Sequence, residues 1–229
     1  MDLASDGIRL AICARRSDRL EALAGEARTR NPGTAVLALP CNLRDEADIA
    51  RMFATIRERW GGVDILVNNA GLGRQAPLLS GTTADWREML DVNVLALCIC
   101  SREAITDMRA RNVAGHVVHI SSMAGHRTPL ESGIYSATKY AVRALTEGLR
   151  RELRELDSPI RVSAVSPGFV ETEFAQVYAH GDTSAHARTY GRFEVLQPTD
   201  IATTVRFILT APPRMQVHDV LVRPTRQQD

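Results

Sequence analysis

The sequence predicts an α/β fold in which parallel strands alternate with helices. Short runs of aliphatic and β-branched residues alternate with longer segments whose apolar residues recur every three or four positions. Because a helix-length segment separates each strand from the next, we expect parallel strands in a sheet flanked by helices. The length suits one domain, 1–229, and no repeat or linker divides it. The predicted strands are 8–14, 35–39, 65–68, 117–121, 160–166 and 217–222.

The predicted helices are amphipathic and have recognisable ends. The first ends before Asn31-Pro32-Gly33, and its inner face is expected at Leu20, Leu23, Ala24 and Ala27. The second ends at Gly61-Gly62, and its buried stripe is expected at Ile49, Met52, Phe53, Ile56 and Trp60. A long third helix, 84–109, begins at Thr82 or Thr83. It is apolar all round at 92–100, so we expect cover on both sides there. Two more helices are expected at 135–155 and 200–209.

Composition argues against several classes of function. The 28 basic and 27 acidic residues nearly balance, so the net charge does not indicate binding to nucleic acid or to a membrane surface. Apolar runs are too short to span a bilayer and no leader-like segment opens the chain, so we expect a cytoplasmic protein. The sequence contains neither H-E-x-x-H nor C-x-x-C, the spacings that would suggest a metal site. Buried free thiols are expected at Cys13, Cys41, Cys98 and Cys100.

The segment 116–140 carries the strongest chemical signal. A β-branched strand ends in Ser121-Ser122, and after a loop a helix begins near Tyr135. Tyr135 and Lys139 are four residues apart, so they lie on one helix face. A nearby ammonium favours the phenolate, which can bring a phenol of pKa ~10 toward working pH as a general acid or base. A serine folded back over the helix start can bond the same substrate oxygen, an arrangement suited to carbonyl reduction.

These residues resemble the active site of the short-chain dehydrogenases/reductases, in which a serine lies upstream of a Y-x-x-x-K pair. Three further motifs agree in family order, at Asn68–Gly71, at Asn93 within a helix, and at Ser166–Gly168 after a strand. The pair alone recurs by chance, whereas the four motifs together are specific. The resemblance covers essentially the whole chain. It implies a Rossmann-like, doubly wound parallel sheet and a homodimer or homotetramer.

One part of the family pattern is missing. The family's first strand is followed by a glycine-rich turn, T-G-x-x-x-G-x-G, and a helix whose N-terminus faces the pyrophosphate. This chain has no such turn. Residues 1–7 resemble the end of the helix that follows it, so we expect a sheet lacking the first βα unit. An incorrectly assigned start is the simplest explanation, and a natural truncation is the alternative.

A second glycine pattern resembles a phosphate-binding loop but is not interpreted as one. Residues 71–76 formally fit G-x-G-x-x-[GA] after a strand, but Pro77 and an irregular segment replace the helix that phosphate binding needs. In the resembled family Asn68–Gly71 instead line the cofactor cleft. The resemblance therefore assigns cofactor contacts to Asn69, Ala70 and Gly71.

Other positions bear on the choice of cofactor. NAD-preferring relatives carry an acidic residue after the first visible strand, where this chain has Arg15-Arg16. Guanidiniums there favour NADP(H), although a solvated basic turn is the alternative. Asn42-Leu43 replace the family's Asp-Leu beside the adenine, and Asn42 either accepts from the adenine or caps the next helix. By resemblance, the nicotinamide lies near Pro167, Gly168, Val170 and Thr172.

Two further features concern catalysis and the substrate. In the resembled family Asn93 bends its helix and holds a water linked to Lys139, while an interhelical hydrogen bond is the alternative. Residues 169–197 have no firm pattern, so we expect a structureless, mobile lid over an apolar pocket. His180 and His186 are expected at its surface.

The sequence thus predicts an NADP(H)-dependent oxidoreductase that interconverts a small ketone or aldehyde and an alcohol. Tyr135 is expected to transfer the proton, with Ser122 positioning the carbonyl oxygen. Lys139 is expected to lower the pKa of the tyrosine and to hold the nicotinamide ribose. The competing hypothesis is a truncated, catalytically silent relative that acts as a subunit partner or scaffold.

Overall fold

The computed structural model describes residues 2–228, which divide into two compact units that meet in sequence between Val63 and Asp64. Both units are of the expected α/β type. The expectation of a helix end at 1–7 is met by a short helix, α1, and Met1 lies outside the described residues. The elements of the first unit are α1 (Asp2–Ser5), β1 (Leu10–Ala14), α2 (Ser17–Arg30), β2 (Val36–Pro40) and α3 (Glu46–Trp60).

Strands β1 and β2 form a two-stranded parallel sheet, with Leu10 opposite Val36. Helix α2 covers one face because Ala24 and Ala27 pack on Val36. The prediction for Leu23 was wrong, since its side chain is exposed while its neighbours in the stripe are buried.

Helix α3 has the caps that its sequence suggests, apart from one assignment. The Asp45 side chain accepts from the Ala47 amide at its start, and Gly61 ends it in the left-handed region at φ 83°. The alternative in which Asn42 caps this helix is therefore wrong. The side-chain Oδ1 of Asn42 instead accepts from the Arg44 amide at 3.2 Å.

The second unit contains the remaining strands in one parallel sheet of order β3-β4-β5-β6. Ile65 lies opposite His116 and His116 opposite Arg161, so the strands are in close register. The elements that carry the sheet and its main helices are β3 (Ile65–Asn68), α4 (Thr83–Leu90), α5 (Ala96–Ala110), β4 (His116–Ile120), α6 (Gly133–Glu155), β5 (Arg161–Pro167), α9 (Pro198–Thr210) and β6 (Asp219–Val222).

The core of this unit lies at the two central strands. Val118 of β4 and Val165 of β5 are fully buried and pack on Ile208 of α9. A strand paired on both sides and covered by helices excludes water from almost every residue, so the polar residues of these strands are buried beside their valines. No helix among residues 2–228 is long and apolar enough to cross a bilayer.

The long predicted helix between β3 and β4 is interrupted. Thr82, of the two candidates, caps it by accepting from the Asp85 amide at 3.1 Å. Helices α4 and α5 are joined by a π-helical turn at Asp91–Leu95. The expectation of cover on both sides fails at Leu95, which is exposed in the single chain.

The expectation that residues 169–197 are structureless was wrong. Two short helices form there, α7 (Phe174–Tyr178) and α8 (Ser184–Tyr190). The two ends of the segment pair with each other, since Val170 and Leu196 form a parallel bridge and the Glu171 amide donates to the Leu196 carbonyl at 2.8 Å. We refer to residues 169–197 as the lid.

Candidate active site

The serine, the tyrosine and the lysine of the predicted site come together at the carboxyl end of β4. Ser122 follows this strand, and its hydroxyl is hydrogen-bonded to the Tyr135 phenol. Lys139 lies one turn further along α6, with Nζ 5.9 Å from the centroid of the Tyr135 ring. Its Nζ donates to the Ile120 carbonyl at 2.9 Å, which holds the ammonium at the strand end. A substrate oxygen at Ser122 and Tyr135 would meet two hydroxyls.

Burial sets the protonation of this site. It raises the pKa of Tyr135 to about 12, against the opposing effect of the Ser122 hydrogen bond. This direction is opposite to the expected effect of the ammonium, because the rings of Phe174 and Tyr178 cover the phenol at centroid distances of 5.4 and 6.2 Å. At neutral pH the phenol is therefore a proton donor.

The same burial acts on the lysine. Lys139 is only 6% exposed, and desolvation lowers its pKa to about 8. At pH 7 the side chain is still mostly an ammonium. It can therefore offset a negative charge that forms on the phenol, and it loses this ability as the pH rises above 8.

Asn93 lies within the π turn, and its side chain is buried. Its Oδ1 accepts from the Leu72 amide at 2.9 Å, while Nδ2 donates to the Leu72 carbonyl at 2.7 Å and to the Thr138 hydroxyl at 3.0 Å. The interhelical hydrogen bond that was the alternative is thus present. Both amide hydrogens are used, so a water on this side chain can only be an additional donor to Oδ1.

The loop after β3 is open on the side of the lysine. Asn69, Ala70 and Gly71 are exposed. A Cβ on Gly71 would lie 3.4 Å from Asn93 Oδ1 and 3.4 Å from Lys139 Nζ, so a group that passes Gly71 reaches both side chains. Asn68 faces away and donates to the Ser101 hydroxyl at 3.0 Å, which ties β3 to α5.

The loop after β5 is closely packed by the C-terminal residues. The Gly168 amide donates to the Val222 carbonyl at 2.7 Å, and a Cβ on Gly168 would collide with the Gln227 amide. Glycine is needed here for this close approach. The Thr172 hydroxyl accepts from the Phe174 amide at 3.2 Å, so it already has a hydrogen-bond partner next to the start of α7.

The first unit places its predicted residues at strand ends. Arg15 and Arg16 follow β1 and are exposed, and Asn42 and Leu43 follow β2. Carboxyl ends of parallel strands are where open α/β sheets bind ligands. One lone pair of the Asn42 carbonyl is occupied by the Arg44 amide, and the second remains for a ligand.

Sequence reasoning missed two signals. Phe174 and Tyr178 are four residues apart, the spacing that places both rings of a short helix on one face, and both rings contact Tyr135. Lys139 is also the only lysine in the chain, since 27 of the 28 basic residues are arginine. An arginine cannot lose its proton in the working range, so a lone lysine marks a position where a titratable cation is required.

The parallel sheets flanked by helices define a Rossmann-like α/β fold, which brings two hydroxyls beside a buried ammonium at the carboxyl end of β4. A sequence profile described as short chain dehydrogenase matches residues 1–182. The chain belongs to the short-chain dehydrogenase/reductase family.

Particular relatives agree with this assignment. Dehydrogenase/reductase SDR family member 11 of Bos taurus is 48% identical over 229 residues, covering 98% of this chain and 89% of the relative. Farnesol dehydrogenase of Aedes aegypti is 39% identical over 234 residues, covering 99% of this chain and 90% of the relative. Among solved structures, the closed form of serine dehydrogenase complexed with NADP+ has a TM-score of 0.91 at 30% identity, covering 100% of this chain and 90% of that one.

Proposed function

We propose that the protein is an NADP(H)-dependent oxidoreductase that interconverts a ketone or aldehyde and an alcohol. The observation that carries the proposal is the convergence of Ser122, Tyr135 and Lys139, with both hydroxyls able to reach one oxygen atom. An accidental Y-x-x-x-K pair on a solvated helix face would have neither this burial nor the serine.

The proton chemistry follows from the protonation states. Tyr135 carries its proton at neutral pH and donates it to the carbonyl oxygen, while the Ser122 hydroxyl donates a hydrogen bond to the same oxygen. A reduced nicotinamide, which Lys139 and the loop at Gly71 would hold, would supply the hydride. Lys139 offsets the charge on the resulting phenolate, which is otherwise costly in a buried site.

The residues present fit a dinucleotide at several points within each unit. Besides its bond to Ile120, the Lys139 ammonium has two N–H bonds without a partner among residues 2–228, and these are available for ribose hydroxyls. Because Gly71 has no side chain, a ligand can approach Asn93 and Lys139 there. In the first unit, Arg15 and Arg16 directly follow β1 and offer guanidiniums to a 2′-phosphate.

We also propose a homodimer or homotetramer. Leu90 and Leu95 are exposed apolar side chains on the long helical segment between β3 and β4, which in the resembled family forms part of the subunit interface. Sedimentation analysis at micromolar concentration should give two or four chains per particle. A monomer would contradict this part of the proposal.

The test measures oxidation of NADPH and of NADH by the full-length protein in the presence of a panel of ketones and aldehydes. We expect turnover with at least one carbonyl compound and an efficiency at least tenfold higher with NADPH. A clear NADH preference would overturn the cofactor assignment. Cofactor binding without turnover of any carbonyl compound or alcohol would instead favour the silent partner.

A further inference from the structure

The tip of the lid is docked on the segment 73–75. The Gln75 amide donates to the Tyr178 carbonyl at 2.8 Å, and His180 Nε2 lies 3.2 Å from the Gln75 carbonyl. Because a carbonyl can only accept, His180 donates in this contact. The lid is therefore attached both at its base, through Val170 and Leu196, and at its tip.

Arg74 is the centre of the tip contact. Its Nη1 donates to the Val177 carbonyl at 2.7 Å, while Nε and Nη2 donate to Glu88 Oε2 at 3.1 and 3.0 Å. The Asp85 carboxylate is 3.9 Å away. One guanidinium thus joins the last turn of α7 in the lid to two carboxylates of α4.

This ion cluster is partly shielded from water. The side chains of Arg74, Glu88 and Asp85 are 22%, 18% and 19% exposed. Exposed surface pairs contribute little, whereas bonds of a charged group at lower dielectric are stronger. The cluster thus adds a partly shielded ionic contact to the packing of the α7 rings on Tyr135.

The docked lid closes the space above the catalytic tyrosine. A Cβ on Gly73 would lie 2.7 Å from Tyr178 Cδ2, 2.8 Å from Phe174 Cζ and 3.2 Å from Tyr135 Cδ2. The rings of α7 therefore lie directly on the 73–75 segment and on Tyr135. A carbonyl compound can reach Tyr135 from this side only if α7 moves.

We propose that Arg74 is a positioning residue that latches the lid: it holds α7 on segment 73–75, and release of its bond to Val177 admits the substrate and frees the product. This inference rests on the proposed function for its consequence in turnover, but not for the latch itself. Lysine cannot replace arginine here, because a single ammonium lacks the planar fork that bonds a carboxylate and a carbonyl together.

The test is hydrogen exchange at the Gln75 amide, which is protected only while it donates to Tyr178. In Arg74→Met we expect this amide to exchange at least tenfold faster than in the parent protein. The matched control is Arg87→Met, which removes an exposed arginine of α4, the helix that carries Glu88, and should leave the rate unchanged. An unchanged rate in Arg74→Met would overturn the latch.

A second variant decides the question if Arg74→Met does not fold. Glu88→Gln keeps Arg74 but weakens the ion pair that anchors it, so the Gln75 amide should exchange several-fold faster; no change would count against the proposal.

In an active enzyme, Arg74→Met should raise KM at least fivefold while kcat stays the same or rises. Equal loss of kcat and of kcat/KM would indicate damage to the catalytic residues instead. Because exchange needs no turnover, failure of the latch and failure of the proposed function are separable.

Discussion

The catalytic residues and the lid are held by different kinds of contact. Tyr135 and Ser122 are fixed by α6 and β4, and β4 is buried and paired with a strand on each side. The lid is held by backbone hydrogen bonds at its base and at its tip, and by one ion cluster at its tip. Groups that transfer a proton need a fixed geometry, whereas a cover that opens in each turnover needs contacts that break at low cost. Changes in the two regions should therefore have different kinetic signatures.

The largest effect is expected at the catalytic phenol. Tyr135→Phe keeps the ring that packs on Phe174 but removes the proton donor, so turnover should fall more than a hundredfold with cofactor affinity preserved. Tyr140→Phe, an exposed tyrosine of the same helix, is the control and should behave as the parent protein. Retention of more than a few per cent of activity in Tyr135→Phe would refute the role.

The next effect is a pH dependence set by Lys139. Its pKa is lowered to about 8, so the ammonium that offsets the phenolate is present below pH 8 and is lost above it. Carbonyl reduction should fall by about tenfold per pH unit above 8, and Lys139→Arg should remove this inflection because arginine stays charged.

The same pKa can be read without turnover. Since Lys139 is the only lysine, NMR of the protein with isotope-labelled lysine reports on this buried group alone. Its signal should titrate with a midpoint near pH 8. A midpoint near the ordinary value of 10.5 would show that burial does not control this group.

A change under the lid should affect substrate binding more than chemistry. Gly73→Ala introduces a Cβ that crowds Tyr178 and Phe174, so the lid should dock poorly and KM should rise roughly fivefold to tenfold, with a smaller change in kcat. Gly148→Ala, whose Cβ meets no atom within 4 Å, is the control. If kcat in Gly73→Ala fell by as large a factor as KM rose, the expected kinetic difference between the two regions would be contradicted.

The smallest effect concerns the stability of the strand that carries Ser122. Burial lowers the pKa of His116 and of His119 to about 4, so the unfolded chain binds protons between pH 6.5 and 4 that the folded chain does not. Stability is thus present above pH 6.5 and is lost as the pH falls toward 4. Each histidine should cost on the order of 2 kcal/mol between pH 7 and 5.

Thermal unfolding at several pH values tests this prediction. His119→Gln should show a shallower loss of Tm on acidification than the parent protein. His186→Gln, which replaces an exposed histidine of the lid, should follow the parent curve. Parallel curves for all three proteins would contradict the assignment.

Sequence patterns predicted the local structure around Ser122, Tyr135 and Lys139 better than that of the lid. The strand, loop and helix from His116 to Lys139 have strong periodicity, and a helix must bring residues four apart together. Helices α7 and α8 have five and seven residues and no side-chain cap, so their local sequence signals are weak. The raised pKa of Tyr135 was not predictable because it depends on rings that reach the phenol only in the folded chain.

The π turn at Asp91–Leu95 determines more than the place of Asn93. A π turn holds one residue more than an α turn, so every later residue of α5 is rotated by about 100° relative to α4. Ser101, Ala104 and Met108 owe their buried orientation to that rotation. Deleting a single residue within the turn would point a different set of side chains of α5 toward the sheet, so this one extra residue determines the orientation of three further helical turns.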